Sequence, residues 1–296
     1  MLNYGEYKQM IDEHILDFLP EIDHKSDTLY EAMKYSLVAG GKRIRPALLL
    51  GACEFVGGNA KAALPYACAL EYTHTYMLIH DDLPAMDDDD MRRGVPTSHK
   101  KFGEAVAILA GDGLLASAFE AMNRDMLLYL DDLDKLKARI RAVSEIARRS
   151  GCRGMIAGQL ADIEAEDKSC SREMLDYIHI NKTAELIVAA VRAGAYLGNA
   201  KPQALQDLTE YAENIGLAFQ IADDILDICG DEQQLGKRVG RDLQKKKTAY
   251  PEIYGMEASK SRLSELTDKA VELMTENYED VTFFTDLARS LEVRCK

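Results

Sequence analysis

Apolar positions recur along nearly the whole chain at helical spacing, not in the strict alternation of half-buried strands. The pattern predicts helices over roughly 3–19, 28–38, 45–56, 60–82, 103–129, 133–149, 152–166, 171–198, 202–229 and 257–276, with ends good to a few residues. Proline usage agrees. Of seven Pro, none lies between Pro96 and Pro202 or between Pro202 and Pro251, which leaves room for long helices. No strand-and-turn rhythm, low-complexity linker or break in composition appears. A single all-α domain spanning 1–296 is expected.

The pattern fails most sharply at Leu78-Ile79-His80-Asp81-Asp82-Leu83-Pro84-Ala85-Met86-Asp87-Asp88-Asp89-Asp90-Met91-Arg92-Arg93-Gly94. Six Asp crowd together there, and two Arg follow. Such like charges repel, and a run of this kind is by itself most often a solvated loop. A calcium loop is excluded, because counting from Asp87 places Arg92 where Gly is needed and Ser98 where Glu is needed. Mg²⁺ would relieve the repulsion while bridging carboxylates to a phosphate. Arg92 and Arg93 would suit diphosphate oxygens. The preceding helix brings Leu70, His74, Met77 and Asp81 within an arc of about 60° on one face. Asp81 and Asp87, at i and i+6, do not share a helical face. Pro84 between them should distort the backbone and let them converge on one ion.

A second acidic cluster decides against the solvated-loop reading: Gln220-Ile221-Ala222-Asp223-Asp224-Ile225-Leu226-Asp227. Gly216, Gln220, Asp223, Asp224 and Asp227 occupy an arc of about 100° on one helix. Periodicity alone would make that arc a surface face. Three Asp with no Lys or Arg within four residues are unusual on a surface, and Asp223 and Asp227 at i,i+4 can share a cation. A basic group follows at Lys237, Arg238, Arg241 and Lys245 to Lys247. Nearer the start, Gly40-Gly41-Lys42-Arg43-Ile44-Arg45-Pro46 places three cations at a helix start, where backbone N–H groups also attract anions. Gly111-Asp112-Gly113 suggests close helix packing. In the helix after Gly154, Gln159 and Asp162 face either a cavity or solvent. Lys182 in an apolar helix would ordinarily reach toward water.

Composition narrows the function. With 47% apolar and 29% charged residues over 296 positions, the chain is ordinary for a globular protein. A net charge of −14 argues against nucleic acid or an anionic membrane as the main partner. Six scattered Cys form no Cys-x-x-Cys pair and suggest reduced, buried, inert thiols. Met1 to Met10 does not read as a signal peptide, and no apolar run reaches the roughly 18 residues of a membrane span. A cytoplasmic protein is expected. No Ser-His-Asp or Cys-His nucleophile and no P-loop is evident.

Together, Gly-Gly-Lys-Arg-x-Arg-Pro at 40–46, Asp-Asp-x-x-x-x-Asp at 81–87 with Arg92-Arg93, Lys182-Thr183, and Gln-x-x-Asp-Asp-x-x-Asp at 220–227 with Gly236-Lys237 are specific. The chain resembles the trans-prenyltransferases (polyprenyl diphosphate synthases), most closely bacterial farnesyl diphosphate synthases, over nearly its whole length. The resemblance implies an isoprenoid-synthase type of all-α fold, a bundle of roughly ten or more helices around a deep central cavity with the two Asp clusters facing each other. It implies that Asp81 and Asp87 hold Mg²⁺ with Asp82 in support, and that Asp223 and Asp227 help hold a further ion. About three Mg²⁺ per active site are implied, with Mn²⁺ able to substitute. Arg92, Lys182 and Lys237 would grip an allylic diphosphate, and Lys42, Arg45, His74 and Arg93 would take isopentenyl diphosphate. The allylic C–O bond ionises, the alkene attacks the cation, and a proton is lost, with the departing pyrophosphate as the expected base. Thr183 and Gln220 would offer oxygen dipoles to the cation. Tyr76 and Met77 would floor the pocket for the growing tail; the resemblance favours a C15 product, with C10 and C20 as alternatives.

Two departures stand out. A smaller residue is common at the Met77 position, and Gly is usual before the Lys at Lys246-Lys247-Thr248. Arg294 and Lys296 are further candidates to reach substrate. A class I terpene cyclase would share the first motif but carries no site for isopentenyl diphosphate, and an inactive helical subunit would not need intact motifs. A homodimer is implied by the family.

Overall fold

The computed structural model describes residues 1–21, 23–166, 168, 170–229 and 248–293. Lys237, Gly236, Arg238, Arg241, Lys245 to Lys247, Arg294 and Lys296, named above, lie outside them.

Helices dominate the described residues. They are α1 (Tyr4–His14), α2 (Asp27–Val38), α3 (Ile44–Phe55), α4 (Ala60–Asp81), α5 (Ser98–Phe102), α6 (Glu104–Leu127), α7 (Leu133–Ser150), α8 (Met155–Ala165), α9 (Arg172–Ile178), α10 (Glu185–Leu197), α11 (Pro202–Cys229), α12 (Tyr250–Tyr254), α13 (Met256–Asn277) and α14 (Thr282–Val293). Most of the expected helices are present within a few residues of their expected bounds. The span expected over 171–198 is continuous but not uniform, because a π-helical segment, His179–Ala184, joins α9 to α10. Periodicity missed the short α5 and α12, and α14 after them. It also missed a two-stranded hairpin of β1 (Met91–Arg92) and β2 (Val95–Pro96), paired Met91 to Pro96 and Arg92 to Val95. Arg93 and Gly94 both take positive φ, 52° and 79°, as a two-residue hairpin turn requires.

The bundle is centred on α4, which is buried nearly all round and packs against α3 and α6. Asn59 starts it by accepting from the N–H groups of Lys61 and Ala62. α3 lies against α10, and α11 against α10 and α13. One large core results, with Tyr66, Tyr72, Tyr211 and Phe284 among its fully buried side chains.

Small residues let the elements near the site approach closely. A Cβ on Gly158 of α8 would lie 2.1 Å from the backbone N of Lys182. A Cβ on Gly216 of α11 would lie 2.6 Å from the Cβ of Ala184. Either substitution would wedge the π-helical segment away from its neighbours.

One expectation stands for a tertiary reason and one needs amending. By length and composition α6 is apolar enough to cross a membrane. It nevertheless buries Ala107, Ala110, Leu114, Ala118 and Met122 within the bundle core. The thiols are not uniformly hidden either. Cys53 and Cys68 are buried, Cys152 and Cys229 are exposed, and all the described Cys are free.

Candidate active site

The two acidic motifs meet. Asp81 and Asp87 from one and Asp223 and Asp224 from the other line a single cavity of about 210 Å³. Leu78, Arg92, Asp162, His179, Lys182, Gln220, Thr248 and Ala249 line it too.

The first motif is built by helix termination rather than by a kink. α4 ends at Asp81, and Pro84 falls in the turn beyond. The Asp87 N–H then donates to the Asp81 carbonyl at 2.8 Å, and the Asp89 N–H to the Asp82 carbonyl at 3.1 Å. This turn brings the two aspartates onto one wall despite their i,i+6 spacing. Asp88 takes φ 48° as the chain reverses, a conformation that Asp tolerates better than most residues.

Asp82 points elsewhere. It accepts from Arg92 Nε at 2.8 and 2.9 Å and lies 2.6 Å from Arg92 Nη2. Burial disfavours charge on Arg92, but the bonds to Asp82 outweigh it and hold the guanidinium firmly protonated. Asp82 therefore fixes Arg92 at the cavity wall. Asp81 is only 7% exposed, and its Oδ1 has no hydrogen-bond partner. Burial pushes its pKa up to about 6, against the pull of Lys182 and with the Asp87 charge adding to it.

The second motif lies mid-helix. Its arc is the inward face of α11, with Asp224 and Asp227 buried, contrary to the surface face that periodicity alone suggests. Asp227 is deep and does not join the lining of the cavity. Asp224 is a hub that sequence reading left without a role. Its Oδ1 accepts from Gln220 Nε2 at 2.8 Å, and its Oδ2 accepts from the Tyr250 N–H at 2.7 Å and lies 3.3 Å from His179 Nε2. Gln220 Oε1 in turn accepts from the Thr183 hydroxyl at 2.7 Å. Thus α11, α12 and the π-helical segment are tied together at the site. The i,i+4 relation of Gln220 to Asp224 was the available signal.

Lys182 is ion-paired to Asp162 at 2.6 Å, so Asp162 faces the cavity and not solvent. Tyr76 and Met77 are both buried, and Leu78 is the residue of that turn which reaches the cavity wall. Tyr76 packs edge-on to His80 at 5.7 Å.

Lys42, Arg45, His74 and Arg93 do not line this cavity. Three of them gather beside it. Arg45 Nη1 lies 3.5 Å from His74 Nε2, and Arg93 Nη2 lies 3.8 Å from Glu71. Burial lowers the pKa of Arg45, with Arg93 adding while Glu71 and Asp223 oppose. Burial, then Arg45 and Arg93, drive His74 well below the usual imidazole range, so it is neutral near pH 7. Lys42 is exposed, and its carbonyl accepts from the Tyr4 hydroxyl.

A buried carboxylate oxygen without a protein partner fits a site for a hard cation. No three His, Cys, Asp or Glu among the described residues form a metal cage. The donor set therefore suits Mg²⁺, which takes one or two carboxylates and completes its shell with water and substrate phosphate.

An all-α bundle with two aspartate banks across one cavity defines an isoprenoid synthase. The polyprenyl synthetase family model matches residues 26–286, so the chain belongs to that family and is a short-chain trans-prenyltransferase of isoprenoid biosynthesis. It is 45% identical to a farnesyl diphosphate synthase of Geobacillus stearothermophilus, over 88% of this chain and 86% of that one. It is 44% identical to a geranylgeranyl diphosphate synthase of Cyanophora paradoxa, over 90% and 87%. A geranyltransferase of Helicobacter pylori, solved in complex with magnesium and isoprenyl diphosphate, matches with a TM-score of 0.84 at 27% identity, covering 97% of this chain and 94% of that one.

Proposed function

We propose that this enzyme condenses dimethylallyl or geranyl diphosphate with isopentenyl diphosphate and makes mainly farnesyl diphosphate. The observation that carries the reading is the shared cavity, with Asp81 and Asp223 on its walls and Lys182 and Arg92 between them. Asp81 and Asp87 would hold Mg²⁺ from one side and Asp223 from the other, with Asp227, one turn deeper in α11, assisting only from behind the cavity wall. When bound, the ions supply Lewis-acid stabilisation of charge on the leaving diphosphate.

The chain's own groups do the rest. Arg92, fixed by Asp82, and Lys182 donate to the allylic diphosphate and neutralise it as the C–O bond breaks. The Thr183 hydroxyl and the Gln220 amide, locked to each other and to Asp224, present preorganised oxygen dipoles to the allylic cation. His74, Arg45, Arg93 and Lys42 bind isopentenyl diphosphate beside the cavity. Lys237 belongs to the allylic grip in the same reading. C15 rests on the likeness to farnesyl diphosphate synthases, with Tyr76 and Met77, buried in the turn of α4 before Asp81, as the floor and C10 or C20 as the alternatives.

A second copy of the chain is the expected partner. Ile108 and Leu109 are exposed on α6, and Leu127, Leu128, Leu130 and Leu133 are exposed at and after its end. Pairing of two such faces would cover them, and Leu109→Glu should convert a dimer to a monomer in sedimentation. A cytoplasmic location completes the reading.

The test is chromatography of products from the purified chain, offered each allylic substrate with isopentenyl diphosphate and Mg²⁺. Farnesyl diphosphate should dominate. A geranyl or geranylgeranyl main product would overturn the C15 assignment alone, and absence of turnover would overturn the whole reading.

A further inference from the structure

We infer that Glu71 is a positioning residue for the diphosphate of isopentenyl diphosphate, the internal counter-ion around which its cationic subsite is assembled. The inference rests on the substrate assignment above. Glu71 lies in the middle of α4 and is only 2% exposed. Three guanidinium groups interact with it. Arg43 Nη1 lies 2.6 Å from its Oε1, and Arg93 Nη2 lies 3.8 Å from the same oxygen. Arg45 feels the charge of Glu71 as well, and His74 sits one turn further along α4.

Two loops meet at this carboxylate. Arg43 takes left-handed backbone, φ 52°, which is unfavourable for a residue with a Cβ. It is held there by Glu71, by Asp12 at 2.9 Å and by the Leu37 carbonyl at 2.6 Å. Turning Arg43 inward sets the positions of Lys42 on one side and Arg45 on the other. Arg93, at the hairpin tip, donates to the Gly40 carbonyl and lies flat on Gly41. A Cβ at Gly41 would lie 2.7 Å from Arg93 Cζ, at a backbone φ of 142°. Arg43 and Arg93 therefore cross-link the Gly40–Arg45 loop to the hairpin through one buried anion.

Without that anion the cations would repel one another in a poorly solvated place. The loop and hairpin would separate, and the convergence on a diphosphate would be lost. Glu71 does not contact substrate in this account. It acts through Arg43 and Arg93. Because Glu71 contacts neither Asp81 nor Lys182, the allylic side should be spared.

The experiment is steady-state kinetics of Glu71→Gln with geranyl and isopentenyl diphosphates. The KM for isopentenyl diphosphate should rise roughly tenfold or more, as expected on loosening charge-assisted contacts, while the KM for geranyl diphosphate stays within about threefold. Glu71→Asp, which keeps the charge, should recover part of the loss. Equal rises in both KM values would mean general structural damage, and an unchanged isopentenyl KM would mean no role; either overturns the inference. Should Glu71→Gln fail to fold, Asp12→Ala removes the outer partner of Arg43, together with an exposed pair to Lys8, and should still raise the isopentenyl KM alone, about two- to threefold. No change in that variant overturns the inference too. Wild-type turnover in the same assay keeps this outcome separate from failure of the prenyltransferase reading.

Discussion

Helix α4 carries two charged regions of opposite sign, and they are assembled differently. At its end, Asp81 and Asp87 form an acidic wall whose key oxygen has no protein partner. About two turns earlier, Glu71 and His74 sit among Arg43, Arg45 and Arg93, with a carboxylate already built in. The acidic region is left incomplete and strained toward protonation, with Asp81 near 6. The cationic region is cross-linked in advance. The difference suggests a division of labour. In the proposed reaction a metal ion would be recruited with the allylic diphosphate, where charge develops, and fixed side chains would suffice where a diphosphate is only held.

The sharpest way to break this comparison is to remove charge from the acidic side. Asp81→Asn or Asp223→Asn should lower kcat by roughly a thousandfold, comparable to losing a principal source of transition-state charge stabilisation. Rapid-quench or steady-state assays at saturating Mg²⁺ would measure it, and wild-type turnover in both variants would refute the metal roles.

A smaller effect separates function from stability. Because folding raises the Asp81 pKa from 3.8 to about 6, the folded protein disfavours the ionised form. The metal-free protein should thus lose stability as pH rises from about 4 to about 6, and the loss should be complete above that range. Asp81→Asn should accordingly stabilise the metal-free protein at pH 7, on the order of 1–3 kcal/mol, even as it inactivates it. Thermal melts with and without Mg²⁺ and diphosphate would show it, and a lowered Tm for the variant without metal would contradict the account. Mg²⁺ affinity should weaken as pH falls through about 6, since protonated Asp81 must release its proton to bind metal.

The mildest perturbation lies between the two regions. Met77→Ala should shift product toward longer chains while leaving both diphosphate KM values near wild type. A hydrophobic pocket discriminates by about 1–3 kcal/mol per methylene, so a mixture is expected and not a clean switch. An unchanged product profile would remove Met77 from the floor.

Much of this was legible in the linear pattern. Uninterrupted helical periodicity with few Pro gives an all-α bundle because a helix must bury its apolar stripe against others. The motif residues were legible because dense like charge is rarely stable without a counter-ion. Less could be read where the partner is remote. Asp224 looks like its neighbour Asp223, yet it holds His179, Gln220 and Tyr250 together. Asp162 was ambiguous until Lys182 came to meet it. The π-helical segment is invisible to periodicity, because one irregular turn hardly alters the count of apolar positions.

Residue order by itself determined most of the long helices, the two acidic motifs and the basic motifs, since each depends on neighbours within a turn or two. Only tertiary structure decided that α11 turns its aspartates inward, that Asp82 serves Arg92, and that Glu71 gathers three arginines. Those outcomes depend on distances between segments far apart in the chain, which are set by how the helices pack and not by any local preference.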